Sequence, residues 1–257
     1  MKFLFIGDIV GKSGRKAVKT HLENNEYDFI IANVENSAAG FGVTERVYNE
    51  LKNMGIHAMT AGNHTWDKKE TENLIHNWEG FIRPANLGSR VLGKGYNIFN
   101  AAGRTICVIN LLGRVFMNLS NCPFECFDNI YESLDKDCFI IVDFHGEATS
   151  EKIAFGNYVK NRAHVVTGTH THVQTNDLKL MENTLYLTDA GMCGAYNSIL
   201  GMEVESIIDK FVTNMPHRFK VETKGDILFN GFSFTLSDDN IISDYKLINE
   251  VYENIEL

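Results

Sequence analysis

Five short apolar runs along this chain each end on residues that can hold a metal ion. FLFIG closes on Asp8, FIIANV on Glu35 and Asn36, HAMTAG on Asn63 and His64, FIIVDF on His145, and HVVTGT on His170, with His172 close behind. Runs this short, rich in β-branched residues and separated by amphipathic stretches, have the rhythm of an α/β protein. In an open α/β sheet the carboxyl ends of the parallel strands share one rim, where ligands bind. Residues far apart in the sequence therefore converge.

The spacing predicts strands over residues 3–6, 29–34, 57–60, 105–111, 138–144, 165–167, 184–188 and 227–236. It predicts helices over residues 13–23, 44–54, 68–77, 123–133, 150–161 and 203–211. Thr44 ahead of Glu45 is a start signal, as is Thr149 or Ser150 ahead of Ile153, Phe155 and Val159. The later strands are separated by turns rather than helices, so an antiparallel portion should join the parallel one. A chain of 257 residues without a repeat or a Pro/Ser-rich linker is read as a single domain spanning 1–257.

Composition excludes several classes. With 44% hydrophobic and 22% charged residues the chain can build an ordinary core. The first apolar run is four residues long before Gly7 and Asp8, too short for a signal peptide, and no later run approaches the roughly 18 apolar residues of a spanning helix. A soluble, cytoplasmic protein is expected. Five cysteines, Cys107, Cys122, Cys126, Cys138 and Cys193, are an odd set best read as free thiols. Cys122 and Cys126 have a zinc-like spacing, but no second pair matches it. The formal net charge is −9 with no Lys/Arg stripe, which argues against tight nonspecific binding of long nucleic acid and leaves a small nucleotide open.

The residues that close the runs include two carboxylates, one or two carboxamides and three imidazoles. That mixed oxygen and nitrogen set suits Fe, Mn, Zn or Co and is too nitrogen-rich for a dedicated Mg or Ca site. It is also too large for one tetrahedral ion, whereas two ions sharing a bridging carboxylate would use it fully. Singly, each residue has an ordinary reading: Asp8 as a turn residue, Asn63 as a helix cap, a lone histidine as structural. The joint pattern is what points to metal. His170 and His172, two apart, face one side if the segment is extended. His21, His57, His76, His164 and His217 lack this setting and are read as structural or surface residues. Asp143, Glu147 and Asp189 flank the blocks and are assigned supporting or capping roles. The charge-rich residues 67–72 read as a solvated helix face, and Met192, Met202 and Phe232 as packing.

The blocks GDIVG, NVEN, GNHTWD, FHGEATSEK and GTHTHVQT stand in order between Gly7 and Thr175, and TDAGMCGAYNSILGM continues the pattern past residue 200. Together they resemble the metallophosphoesterases of the calcineurin-like superfamily, and more closely its YmdB-like branch of cyclic-nucleotide phosphodiesterases. The resemblance implies an α/β fold, a four-layer α/β/β/α sandwich with mixed sheets. The wider superfamily has Asp-x-His in the first block and Asp in the second. Here the first block reads Asp8-Ile9-Val10 and the second supplies Glu35, both as in the YmdB-like branch, with Asn36 a candidate for the missing ligand. The family pattern also places Pro and Asp near Ala195 and Asn197, so substrate-side contacts should differ here.

The same resemblance implies one ion on Asp8, Glu35 and His172, with Asn36 as a further candidate, and another on Glu35, Asn63, His145 and His170. Glu35 would bridge two transition-metal ions, Fe or Mn first and Zn or Co next. The implied reaction is hydrolysis of small phosphodiesters, 2′,3′-cyclic nucleotides first, by a hydroxide held between the ions. His64, beside Asn63, is the implied general acid, a role typically worth about 10²–10⁴-fold in rate. No substrate-binding residue is identifiable, and a homo-oligomer is compatible with the sequence.

Two other readings belong beside this one. A regulatory or scaffold protein could keep the fold and metals with little turnover. Alternatively, IGDIVGKS approaches the phosphate-binding pattern G-x-x-x-x-G-K-[ST], with Lys12 in the lysine position. That pattern needs glycine where Ile6 stands, and counted from Gly7 the loop is one residue short.

Overall fold

The computed structural model describes residues 1–253, so residues 254–257 of the expected 1–257 domain lie outside the described residues. The chain opens with β1 (Lys2–Ile6), β2 (Asp8–Ile9), α1 (Gly11–Asn24), β3 (Phe29–Asn33), α2 (Glu45–Asn53), β4 (Ala58–Thr60), α3 (Lys69–Leu74) and β5 (Phe81–Ile82). There follow β6 (Tyr96–Ala101), β7 (Arg104–Leu112), α4 (Pro123–Ser133), β8 (Phe139–His145), α5 (Thr149–Val159) and β9 (Val165–Thr169). The last third holds β10 (Lys179–Met181), β11 (Thr184–Leu187), β12 (Met192–Ala195), α6 (Val204–Thr213), β13 (Ile227–Leu236) and β14 (Ile242–Tyr252).

These strands form two mixed sheets. One runs β2-β12-β13-β1-β3-β4-β5, with β14 paired to β13, and the other runs β10-β11-β9-β8-β7-β6. Within each sheet the strands that lead to the candidate ligands belong to a parallel set: β1, β3, β4 and β5 in the first, β7, β8, β9 and β11 in the second. Antiparallel β13 and β14, and β6 and β10 at opposite edges of the second sheet, supply the antiparallel portion.

Period-two alternation sorts the side chains into layers. Leu4 and Ile6 of β1 pack outward with Val18, Val47, Tyr48 and Leu51 of α1 and α2. Phe3 and Phe5 point the other way and meet Ile106, Phe139, Ile141, Leu185, Phe232 and Phe234 between the two sheets. On the far side, Ile109, Ile140 and Val142 pack against Phe127, Ile130, Phe155 and Val159 of α4 and α5. The result is the α/β/β/α order, with an aromatic seam between the sheets in which Phe3 stacks on Phe234 at 4.7 Å.

Most expected elements occur within a residue or two of their predicted bounds, and the differences have physical causes. The strand predicted to stop at Phe144 runs on through His145 because His145 pairs with Thr169 of β9. The helix predicted over 68–77 ends at Leu74 and tightens into a single 3₁₀ turn, Ile75–Asn77. Thr44 caps α2 by accepting the Val47 amide at 3.4 Å. Neither Thr149 nor Ser150 caps α5; Ala148 occupies that position with no side-chain hydrogen bond. Strands β2 and β5 are two residues long, β6 mixes half-buried and exposed side chains and β14 is mostly exposed; these four, with β10 and β12, were not predicted. No helix among the described residues is long and apolar enough to cross a membrane.

Candidate metal centre

Parallel pairing brings the strand ends level. Asn33 lies opposite Thr60 across β3 and β4, and His145 lies opposite Thr169 across β8 and β9. The first sheet therefore delivers Asp8 after β1, Glu35 and Asn36 after β3, and Asn63 and His64 after β4. The second delivers His145 at the end of β8 and His170 and His172 after β9. The site is thus a seam where two sheets meet, rather than the rim of one.

The tightest convergence is on one ring nitrogen. Nε2 of His145 lies 2.9 Å from Glu35 Oε1, 3.0 Å from Asn63 Oδ1 and 3.1 Å from His170 Nδ1. An imidazole nitrogen carries at most one hydrogen, so it cannot serve all three groups; lone pairs gathered this way fit a cation. Among the described residues, Glu35, His145 and His170 place their ligand atoms within 4.8 Å of one another. Asp8 is fully buried beside them. Its Oδ2 accepts the His170 amide at 3.1 Å, whereas Oδ1 has no hydrogen-bond partner among the described residues and stands 3.8 Å from His172 Nε2. Asn36 is also buried, with Nδ2 donating to the Gly40 carbonyl at 3.0 Å and Oδ1 without a partner among the described residues. Orphaned buried oxygens are rare, and a bound cation is one of the things that explain them.

Each of the three imidazoles has one nitrogen tied to a fixed acceptor, leaving the other turned toward the carboxylates. His145 Nδ1 bonds Thr169 Oγ1 at 2.9 Å, and that hydroxyl donates to Asp143 at 2.7 Å. His170 Nε2 pairs with Glu147 at 3.1 Å. His172 Nδ1 donates to the Leu200 carbonyl at 3.1 Å. Such outer partners fix the tautomer and orientation that a metal-binding histidine needs. Asp143 is itself held by Thr60 and Asn33.

Electrostatics match this arrangement. Burial alone would raise the Glu35 carboxyl, but the charge and hydrogen bond of His145, with His64 adding to them, hold it at about 2. Burial opposes protonation of His145, yet Glu35, then Asp8 and Asp143, lift it to about 9. Burial and the charge of His145 press His170 down to about 3, and burial lowers His172. Burial also pushes Asp8 well above the usual carboxylate range. Without metal, then, a proton on His145 balances the carboxylates, and a metal ion binding there would displace it.

His64 sits at the edge of this cluster. Its amide donates to Glu35 Oε2 at 2.8 Å, its Nδ1 pairs with Asp67 at 2.7 Å, and its ring meets Phe41 edge-on at 4.9 Å. Asp67, read from the sequence as part of a solvated face, instead orients this ring. Gly62 is required by close approach: a Cβ there would lie 2.3 Å from the His145 ring and 2.5 Å from Glu35 Oε2. Of the remaining histidines, His57 and His164 accept the amides of Ile30 and Ile140, and His21 bonds Tyr27 and Glu250.

The loop after β1 is no phosphate cradle. The amides of Gly7, Asp8, Val10 and Gly11 donate to the carbonyls of Asn230, Gly191, Cys193 and Asn36 at 2.8–3.1 Å, and Lys12 is exposed. A cleft of about 610 Å³ lined by Arg83, Tyr96, Cys122, Glu125 and Asn129 contains none of the residues that close the apolar runs.

Comparison with known proteins agrees with this architecture. The chain is 45% identical to a 2′,3′-cyclic-nucleotide 2′-phosphodiesterase of Bacillus subtilis (strain 168), over 93% of this chain and 92% of that protein. Crystal structures of a hypothetical protein from Thermus thermophilus and of a phosphatase from Mycoplasma pneumoniae superpose with TM-scores of 0.91 and 0.90, at 36% and 32% identity. Each alignment covers 98% of this chain, with 99% and 94% of the other chain. A family model described as YmdB-like protein matches residues 4–246, a span that includes every candidate ligand, and the chain belongs to that family.

Proposed function

We propose that the protein is a dinuclear metal-dependent phosphodiesterase acting on small phosphodiesters, with 2′,3′-cyclic nucleotides as the leading substrate class. The observation that carries this reading is the fixed orientation of His145, His170 and His172 toward Asp8, Glu35 and Asn63. The substrate class rests on the 45% identity to the Bacillus subtilis phosphodiesterase.

Asp8, Glu35 and His172, with Asn36, would hold one ion, and Glu35, Asn63, His145 and His170 the other. The donor set favours Fe or Mn, with Zn or Co next. When bound, such a pair supplies a nucleophilic water at neutral pH and clamps phosphate oxygens. The chain's own residues do the rest. Glu35 would bridge the two ions, its carboxylate held with one oxygen on His145 and the other on the His64 amide. His64, its Nδ1 tied to Asp67, is free to present Nε2 to a leaving oxygen and donate its proton there. The core shared by both sheets supports reading the chain as one domain, and the five unpaired cysteines support a cytoplasmic location.

The test is to measure metals per chain by elemental analysis after metal-replete expression, then hydrolysis of a panel of 2′,3′- and 3′,5′-cyclic nucleotides, nitrophenyl phosphodiesters and monoesters. Two ions per chain and fastest turnover of a 2′,3′-cyclic nucleotide are expected. Saturation at one ion would overturn the dinuclear reading, and metal-loaded protein without turnover would make it a scaffold.

A further inference from the structure

Beneath the two-histidine loop lies an ion pair with no ligand role. Lys152, in the first turn of α5, and Asp189, after β11, each have side chains only 1% exposed, and Lys152 Nζ stands 2.7 Å from Asp189 Oδ2. Few lysines are buried so completely without a task. The pair grips the chain on both sides of His170. Lys152 Nζ donates to the Thr169 carbonyl at 2.8 Å, while Asp189 Oδ2 accepts both the amide and the hydroxyl of Thr171, at 3.2 and 2.7 Å. The other carboxylate oxygen takes the Gly191 amide at 2.8 Å.

The gripped backbone needs holding. His170 has φ of 100° and His172 φ of 64°, a region L side chains seldom occupy and keep only when the surroundings over-determine it. Between β9 and the pair there is no slack: a Cβ on Gly168 would lie 1.9 Å from the Thr188 carbonyl oxygen and 2.8 Å from Lys152 Cδ.

We infer that Lys152 and Asp189 are positioning residues for the metal centre, clamping residues 169–171 so that His170 Nδ1 and His172 Nε2 face the carboxylate cluster. The inference rests on the dinuclear reading of that centre. Asp189 supplies the directional bonds; Lys152 compensates its charge in the interior and holds the adjoining carbonyl. A buried charge left without its partner is strongly unfavourable, whereas an apolar or neutral replacement of both partners is often tolerated.

The experiment titrates metal-stripped, full-length protein with Mn²⁺ by calorimetry and records the thermal midpoint of the metal-free form. It compares the parent protein with Thr171→Val, Asp189→Asn, Lys152→Met and the Lys152→Met/Asp189→Asn double variant. Loss of an outer partner typically weakens metal binding by about 10–100-fold, and that loss is expected in every variant. Thr171→Val, which leaves the ion pair intact, should show it with little change in the metal-free midpoint. The double variant should recover much of the stability lost in Lys152→Met without recovering affinity. Parent-like Mn²⁺ affinity in Thr171→Val and the double variant would overturn the inference, even if their midpoints fell. Failure of the parent protein itself to take up two ions would instead overturn the dinuclear reading.

Discussion

Replacing Gly62 by alanine tests the metal centre with one methyl group. The added Cβ would lie 2.3 Å from His145 Cδ2, 2.4 Å from its Nε2 and 2.5 Å from Glu35 Oε2. Ordinary contact between such atoms begins near about 3.5 Å, so something must move by roughly 1 Å. The His145 ring cannot retreat freely, because Nδ1 is bonded to Thr169 and the side chain is fully buried. Glu35 is held in turn by the His64 amide. The strain therefore falls on the groups proposed to hold metal, and a misplacement near 1 Å can cost about 10²-fold in rate. Overpacking should also lower stability by about 1–3 kcal/mol. Far-UV circular dichroism and a denaturant midpoint would monitor the fold, while metal content after dialysis and turnover of a nitrophenyl phosphodiester would monitor the site. Folded Gly62→Ala protein should lose at least one ion and about two orders of magnitude in turnover. If it kept both ions at parent affinity and full activity, the placement of His145 and Glu35 at the centre would be wrong.

Three further outcomes follow from the same geometry. His64→Ala should retain both metals and lose roughly 10²-fold or more in kcat on a substrate with a poor leaving group, less on an activated ester; Asp67→Asn should shift both values the same way by less. Equal losses of His64→Ala on both esters would remove His64 as the acid. Glu35→Asp shortens the proposed bridge by about one C–C bond, roughly 1.5 Å, and should weaken one or both ions; unchanged affinity and activity would pass the bridging role to Asp8. Finally, His164 accepts the Ile140 amide through Nδ1, and burial lowers its pKa from the ordinary 6.5. Below about pH 6.5 the unfolded chain binds a proton that the folded chain resists, so this residue subtracts stability as pH falls toward its depressed folded value. Metal-stripped His164→Asn, whose amide oxygen can accept the same hydrogen bond without titrating, should show a shallower fall in thermal midpoint between pH 8 and 5; an identical slope would exclude His164.

How far the sequence could be read depended on the range of the interactions involved. Strands β1, β3, β8 and β9 were legible because each is a local apolar run ending in polar residues, and burial of both faces left them no alternation to confuse the pattern. Which sheet each strand joins is not a local property, so a shared rim was expected where the structure has a seam between two sheets. Strand β14 was missed because most of its residues are exposed and its support comes from long antiparallel pairing with β13. The candidate ligands were visible as side-chain types at run ends, but their partners were not. Asp67 looked like any charge near a helix start, and nothing in the sequence marked Lys152 for burial. Nothing within a few residues reveals that Lys152 meets Asp189, 37 positions away, or that Asp143 receives Thr60 across 83.

The charge balance of the seam explains why these partners matter together. Asp8, Glu35, Asp143 and Asp189 are each at most 1% exposed, and so is Lys152, the lysine that answers Asp189. Buried this completely, the remaining carboxylates must be balanced locally or take up protons. Burial itself raises the carboxyls of Asp8 and Asp143, and although burial opposes protonation of His145, Glu35, Asp8 and Asp143 lift it to about 9; both adjustments ease that deficit of positive charge. Two divalent ions would meet it without either adjustment, and the bare Asp8 Oδ1 and the lone pairs gathered at His145 Nε2 are where they would do so. Lys152, by pairing with Asp189, balances that carboxylate while it accepts from Thr171, which would leave Asp8 and Glu35 to the proposed metal ions. On this view the histidine loop and the carboxylates are parts of one electrostatic arrangement, in which the fold supplies the negative charge and the clamp decides where the positive charge can sit.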